Sequence, residues 1–231
     1  MSPPKILVVL TSHSQLGSTS KKTGWYLSEF SHPHHVFESA SAEITVASPL
    51  GGTAPLDPSS IDAAKDDSVS VNFHQSKSSL WENTTPLKEF LGKAKEFDAI
   101  FYPGGHGPMF DLATDETSQQ LIKEFWEEGK VVGAVCHGPA VFVNVKLDDG
   151  KYLVEGKRVA AFSDEEEKQI GLDKEMPFLL ETELKKKGGK YESSEDGPWG
   201  EKVVVDGKLV TGQNPKSAKG VGEEIMKLIG K

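Results

Sequence analysis

Three stretches of this chain are apolar at every position: residues 6–10, Ala99–Tyr102 and Val131–Val135. A strand with one face in water alternates apolar and polar side chains, so a run without alternation is buried on both faces. Such strands belong to a parallel sheet covered by helices on each side. The spacing predicts strands at 5–10, 43–47, 99–102 and 131–135, with helices at 24–39, 87–95 and 116–128 between them. A helix through about residue 144 follows the fourth strand. Further on, short strands are predicted at 152–154 and 158–162, and helices at 165–170 and 178–187. Asp206-Gly207 marks a hairpin between 202–205 and 208–211, and a last helix runs from 215 to 229. Strand and helix in alternation make an α/β protein, three layers thick with a mostly parallel sheet. No linker divides the 231 residues, which suffice for one domain. Residues 49–85 break the rhythm with prolines and serines and read as a cap or insertion.

In open sheets of this class the site lies beyond the carboxyl ends of the strands. Loops 11–23, 103–108 and 136–139 all follow strands and should meet at one edge. The third carries the only cysteine, Cys136, where an apolar strand runs into His137-Gly138-Pro139-Ala140. A lone cysteine is more often a small buried hydrophobe. His, Gly and Pro are poor filler for a strand end, however, and suit a turn that holds a nucleophile clear of the sheet. At a helix N-terminus the thiol should ionise more readily than a free one. The second loop, Gly104-Gly105-His106-Gly107, can turn its amides toward an oxyanion. It has neither the Gly-Lys-Ser/Thr pattern nor the spaced glycines of a phosphate site. His106 reads equally as a polar wall or a loop histidine.

Glu29, between Leu27 and Phe30, reads on composition as part of a solvated helix face, although it could also point into the site. The run Asp164-Glu165-Glu166-Glu167 suits a helix N-terminus, and spacing does not select which carboxylate would orient a histidine. His32-Pro33-His34-His35 has no carboxylate or cysteine at ligand spacing and reads as a polar helix end, so no metal site is expected.

Lys and Arg total 26 against 35 Asp and Glu, a net charge of −9, with no basic stripe to offset it. Nucleic acid and anionic membrane are therefore not expected partners. One cysteine excludes an internal disulfide and suits a reducing compartment. The first apolar run is too short for a signal core or a membrane span. These features point to the cytoplasm, with the nucleus also compatible.

Taken together, Ala134-Val135-Cys136-His137-Gly138-Pro139, Tyr102-Pro103-Gly104-Gly105-His106-Gly107 and Thr211-Gly212-Gln213-Asn214-Pro215 resemble the ThiJ/PfpI superfamily over nearly the whole chain. The branch most resembled is that of heat-shock-induced chaperones that are glutathione-independent glyoxalases. The resemblance implies a flavodoxin-like sandwich of the class I glutamine-amidotransferase type and commonly a homodimer. By matching motifs it implies Cys136 as nucleophile, His137 as its base, Glu29 as the acid at the thiol and Glu167 as the third triad member. It also implies conversion of a small 2-oxoaldehyde such as methylglyoxal to lactate through a Cys136 hemithioacetal. The oxyanion would be held by the Gly104–Gly107 loop, and no cofactor would be needed. The 49–85 cap departs from the family pattern and bears on substrate access. Two other readings stand beside this one: a cysteine peptidase or amidase, and a redox-sensing chaperone that holds unfolded client proteins. A second acid at the thiol favours the glyoxalase over the hydrolase.

Overall fold

The structure, a computed structural model, describes residues 2–230. Strands β1 (Lys5–Val9), β2 (Glu43–Ser48), β3 (Thr85–Pro86), β4 (Ala99–Tyr102) and β5 (Val131–Val135) are joined mainly by helical connections, with α1 (Leu27–Ser39) between the first two. The segment between β2 and β3 holds α2 (Pro58–Ala63), α3 (Ser68–Ser76) and α4 (Ser79–Glu82), and α5 (Glu116–Glu127) links β4 to β5. The later elements are β6 (Arg158–Val159), α6 (Asp164–Gln169), α7 (Leu180–Lys186), β7 (Lys190–Tyr191), β8 (Val203–Asp206), β9 (Leu209–Gly212) and α8 (Ala218–Ile229). The main sheet has the order β3-β2-β1-β4-β5-β9-β8 and is parallel except for the β8–β9 hairpin. From β1 the chain steps one way to β2 and β3, then returns across β1 to β4 and β5. That reversal opens a crevice at the carboxyl ends of β1 and β4, beside the end of β5.

Successive side chains of the inner strands go to opposite faces. Leu7, Val9, Ile100, Tyr102, Val132 and Ala134 join Leu121 and Phe125 of α5 and Leu184 of α7. Ile6, Val8, Phe101 and Val135 join Leu27, Phe30 and Phe37 of α1 and Val221 and Ile225 of α8. Both faces are dry, as the unbroken apolar runs require, and each fully buried Leu or Ile contributes roughly 1.5–3 kcal/mol. The protein is thus a flavodoxin-like α/β sandwich with a mostly parallel sheet. No helix among the described residues is long and apolar enough to cross a membrane.

Several boundaries differ from the sequence reading. The 49–85 segment is helical, with Asp57 and Asp67 capping α2 and α3 through their carboxylates. Helices of four to nine residues are too short for a periodicity to show. The segment docks on α1: Thr23 Oγ1 donates to Asp57, the Leu27 amide to Ser60 Oγ, and Ser31 and Ser70 share a hydrogen bond. Trp25 and Phe30 pack edge-on against Phe73 beneath it. The helix predicted at 87–95 is two 3-10 turns, Leu87–Phe90 and Ala94–Glu96, and a 3-10 turn Gly138–Phe142 replaces the helix after β5. Residues 152–154 make one bridge, Lys146 to Tyr152, and 158–162 pair only through Arg158 and Val159 with β7. The histidine run lies in the middle of α1, not at its end. His34 is buried against Phe30 and Phe73, its pKa pushed down to about 4 by burial, and His32 Nε2 lies 2.7 Å from Asp67.

Candidate active site

Cys136 follows β5 with φ +61°, in the left-handed region that ordinary residues avoid at a cost of roughly 1–2 kcal/mol. The conformation is held from both sides. Its amide donates to the Gly212 carbonyl at 2.9 Å, and its own carbonyl accepts the Phe162 amide at 2.9 Å. The kink turns the thiol out of the sheet into the crevice, where it remains only 4% exposed.

His137, the next residue, brings Nδ1 to 3.5 Å from the Cys136 sulfur. Its Nε2 lies 2.5 Å from Glu167 Oε2, while the other oxygen of the same carboxylate accepts His106 Nε2 at 3.0 Å. Glu167 therefore holds two histidines whose ring centroids lie 4.3 Å apart, with the ring planes tilted by 40°. Burial opposes a charge on Glu167, but the two histidines outweigh it and hold the carboxyl well below the usual range. An ionised Glu167 takes the proton-bearing Nε2 of His137, which leaves the Nδ1 lone pair facing the sulfur. Burial also lowers the His137 pKa against the pull of Glu167, so the ring is neutral and able to accept a proton.

Of the four acidic residues at the start of α6, only Glu167 reaches His137. Glu166 closes a capping box with Ser163 and accepts from Asn214 Nδ2 and the Trp199 amide. Asp164 accepts Thr182 Oγ1, and Glu165 points to solvent.

Glu29 is fully buried in the first turn of α1, not on a solvated face. Its Oε2 accepts the Gly104 amide at 2.8 Å. Its Oε1 has no hydrogen-bond partner of good geometry, and the Cys136 thiol is the interacting group beside it. Burial pushes Glu29 up to about 8, with Cys136 and the Gly104 amide pulling the other way. The thiol is itself raised well above its ordinary value, first by burial and then by the Glu29 charge. The sequence expectation of an easily ionised thiol is thus reversed: desolvation and a neighbouring carboxyl outweigh a short 3-10 turn. At neutral pH the thiol and the carboxyl rest as an uncharged pair.

The glycine loop packs too closely to be anything but glycine at Gly104. A Cβ there would sit 2.7 Å from Glu29 Oε2, the His137 amide nitrogen and the Val135 carbonyl. Gly105, at φ +85°, lies against the backbone of Gly24 and Tyr26. Two of the loop's amides are already committed, Gly104 to Glu29 and Gly107 to the Gly24 carbonyl. The Gly105 amide also acts on the Glu29 carboxyl, so the oxyanion expectation for the whole loop narrows, and the amide beside the sulfur is that of His137.

Cys136, His137, Glu29, Gly105 and His106 line one cavity of about 310 Å3, which Lys21, Lys22 and Leu16 from the loop after β1 also border. Sequence reasoning did not single out Tyr26, Phe162, Trp199 or Lys21 and Lys22, which share that lining. Tyr26 is raised to about 12, mostly by burial and then by the charges of Glu29 and Cys136, so its hydroxyl keeps its proton. The loop signal of Trp199, Pro-Trp-Gly, was present but has no periodicity to place it. His106, His137 and Glu167 bring potential metal-ligand atoms within 4.8 Å of one another. Nε2 of each histidine and both Glu167 oxygens are engaged in the hydrogen bonds within the group.

Residues 22–228 match the DJ-1/PfpI family. The chain is 32% identical to Glyoxalase 3 of Candida albicans, an alignment that covers 96% of this chain and 97% of that one. Among solved structures, the Rapid Encystment Protein 24 kDa of Francisella tularensis superposes with a TM-score of 0.91 at 35% identity, covering 99% and 100% of the two chains. Glyoxalase III from Candida albicans superposes with a TM-score of 0.86 at 31% identity, covering 97% of each chain. The chain belongs to the DJ-1/PfpI family.

Proposed function

We propose, from that family membership and the geometry of the crevice, that this protein is a glutathione-independent glyoxalase turning a small 2-oxoaldehyde and water into a 2-hydroxy acid. The observation that carries the reading is the fully buried Glu29 carboxyl beside Cys136, which burial pushes up to about 8, additional to the His137–Glu167 pair. Acyl transfer by a cysteine hydrolase needs only the thiol, its base and an oxyanion site. An aldehyde-to-acid isomerisation also needs a group that moves a carbon-bound proton.

The steps balance as follows for methylglyoxal. His137 Nδ1 takes the thiol proton, the sulfur bonds to the aldehyde carbon, and Glu29 protonates the aldehyde oxygen, giving the hemithioacetal. Glu29, now a carboxylate, removes the proton on that carbon while His137 returns its proton to the neighbouring carbonyl oxygen, leaving an enediol. Glu29 then protonates the second carbon as His137 takes the hydroxyl proton from the first, and the product is a thioester of lactate. Water adds to the thioester, its proton passing to Glu29, and the departing sulfur recovers its proton from His137. Lactic acid leaves and both residues regain their starting states. In this reading the His137 amide, beside the sulfur, holds the oxygen on the carbon bonded to sulfur, which carries charge during addition and hydrolysis.

The reading carries further proposals: a homodimeric state, a cytoplasmic or nuclear place, and a secondary action on unfolded client proteins. The test of the central claim is lactate formation from methylglyoxal by the purified, reduced protein without glutathione, beside Cys136→Ala and Glu29→Gln. Turnover by the wild type that is lost in both variants supports the reading. A folded, reduced wild type that forms no lactate overturns it.

A further inference from the structure

The cavity is much larger than methylglyoxal, with room for roughly ten waters at ~30 Å3 each. Its lining is also divided. Cys136, Glu29 and the histidines form the floor. Phe162, Leu172, Ile170 and Trp199 form an apolar side, the last two 39% and 42% exposed. Trp199 is not there by default, because its backbone is held at φ +67°, in the left-handed region. Glu166 accepts its amide at 3.0 Å, Gln169 accepts its indole Nε1 at 2.7 Å, and its ring meets Phe162 edge-on at 5.5 Å. A strained residue fixed at a cavity mouth, with half its indole in water, marks a surface kept for a ligand.

The lining also includes Lys21 and Lys22, both exposed. Among the described residues neither forms an ion pair. The acids lining the same cavity do not pair with them: Asp57 accepts Thr23 and Ser59, and the buried Glu29 accepts Gly104 through Oε2. In a chain with a net charge of −9, two unpaired ammonium groups at the mouth are a local reversal of sign.

We propose that the cavity selects 2-oxoaldehydes with an apolar, planar body and a carboxylate end, the body lying against Trp199 and the carboxylate drawn by Lys21 and Lys22. This rests on the glyoxalase reading and names the substrate class of the same site. The reactive aldehyde would reach Cys136 at the floor while the carboxylate stays at the rim, where lysine acts as a flexible point charge.

The test compares kcat/KM for methylglyoxal, phenylglyoxal and 4-carboxyphenylglyoxal in the wild type, Trp199→Gly and the double variant Lys21→Ala/Lys22→Ala. Glycine at 199 keeps the backbone conformation while removing the ring. The wild type should prefer 4-carboxyphenylglyoxal to phenylglyoxal. That ratio should fall about ten-fold in the double lysine variant and shrink as salt is raised. The ratio of phenylglyoxal to methylglyoxal should fall about five-fold in Trp199→Gly. A wild type indifferent to the carboxylate, or ratios unmoved by the variants, overturns the proposal. A second arm needs no turnover: alkylation of Cys136 by iodoacetate relative to iodoacetamide should fall in the double lysine variant. A fall there in a protein that forms no lactate would sink the glyoxalase reading and leave the cationic rim standing. An unchanged alkylation ratio beside normal lactate formation would sink the rim alone.

Discussion

The carboxyl of Glu29 and the thiol of Cys136 share one buried corner of the crevice, and burial raises the pKa of both. Two acids side by side without solvent cannot both ionise, so the resting site holds their protons ready for transfer. The pair is assembled from elements far apart in sequence, the first turn of α1 and the end of β5, with the Gly104 amide as the brace between them.

Replacing Glu29 with Gln should lower turnover by roughly 10²–10⁴-fold and change the pH dependence of stability. The folded pKa of about 8 stands above the ordinary 4.5, so the stabilisation is complete below about pH 4.5 and is lost as pH rises toward 8. Over that window wild-type stability should fall by at most about 1.4 kcal/mol per pH unit through this group. Urea unfolding of the Gln variant at matched pH should lack that slope; equal slopes in the two proteins would remove Glu29 from the account.

Glu167→Gln should cost about 1–3 kcal/mol, since a buried contact to His137 and a part-buried one to His106 lose their charged acceptor. Here the folded pKa is lowered, so the contribution is present above about pH 4.5 and lost as pH falls further. The gap in stability between wild type and variant should therefore narrow in acid. Turnover should drop as well, because His137 no longer has a carboxylate to hold its Nε2 proton in place.

At position 136 glycine should rival alanine. Elsewhere glycine is the worse residue by roughly 0.5–1 kcal/mol, but here the backbone stands at φ +61°. Thermal melts of Cys136→Gly and Cys136→Ala, both inactive, check this; a Gly variant melting well below the Ala variant would mean that the turn carries no strain.

Gly104→Ala should destabilise by about 1–3 kcal/mol, as overpacking does. The added methyl meets the backbone of Val135 and His137 as well as the Glu29 carboxyl, each at 2.7 Å. Because Glu29 is displaced in the same step, the loss of turnover should exceed what the loss of stability explains. Activity assayed well below the variant's melting temperature separates the two.

The central strands and the turn at Cys136 were legible because their causes are local. Unbroken apolar runs require burial on both faces whatever surrounds them, and the recovered strands Ala99–Tyr102 and Val131–Val135 match the prediction residue for residue. Gly104, Gly105 and the residues after Cys136 carry their backbone requirements in their own covalent chemistry. The resemblance to a family added roles for Glu29, which composition alone left on a solvated helix face, and for Glu167, which it left among four acids at a helix N-terminus.

What the tertiary structure decided is orientation and dielectric. Neighbouring residues on a helix point about 100° apart, so the placement of α6 alone turns Glu166 toward Asn214 and Glu167 toward the histidines. The direction of the Cys136 shift likewise depends on water excluded by α1, β5 and the glycine loop together. The cap helices of residues 58–82 were hidden for a related reason: short helices draw their stability from what they pack on, here α1 and Trp25. The chain's own sequence determined which residues must be buried and which turns must be tight. Only the packing of distant segments decided which acid meets which base, because that depends on rotations and distances that no local pattern encodes.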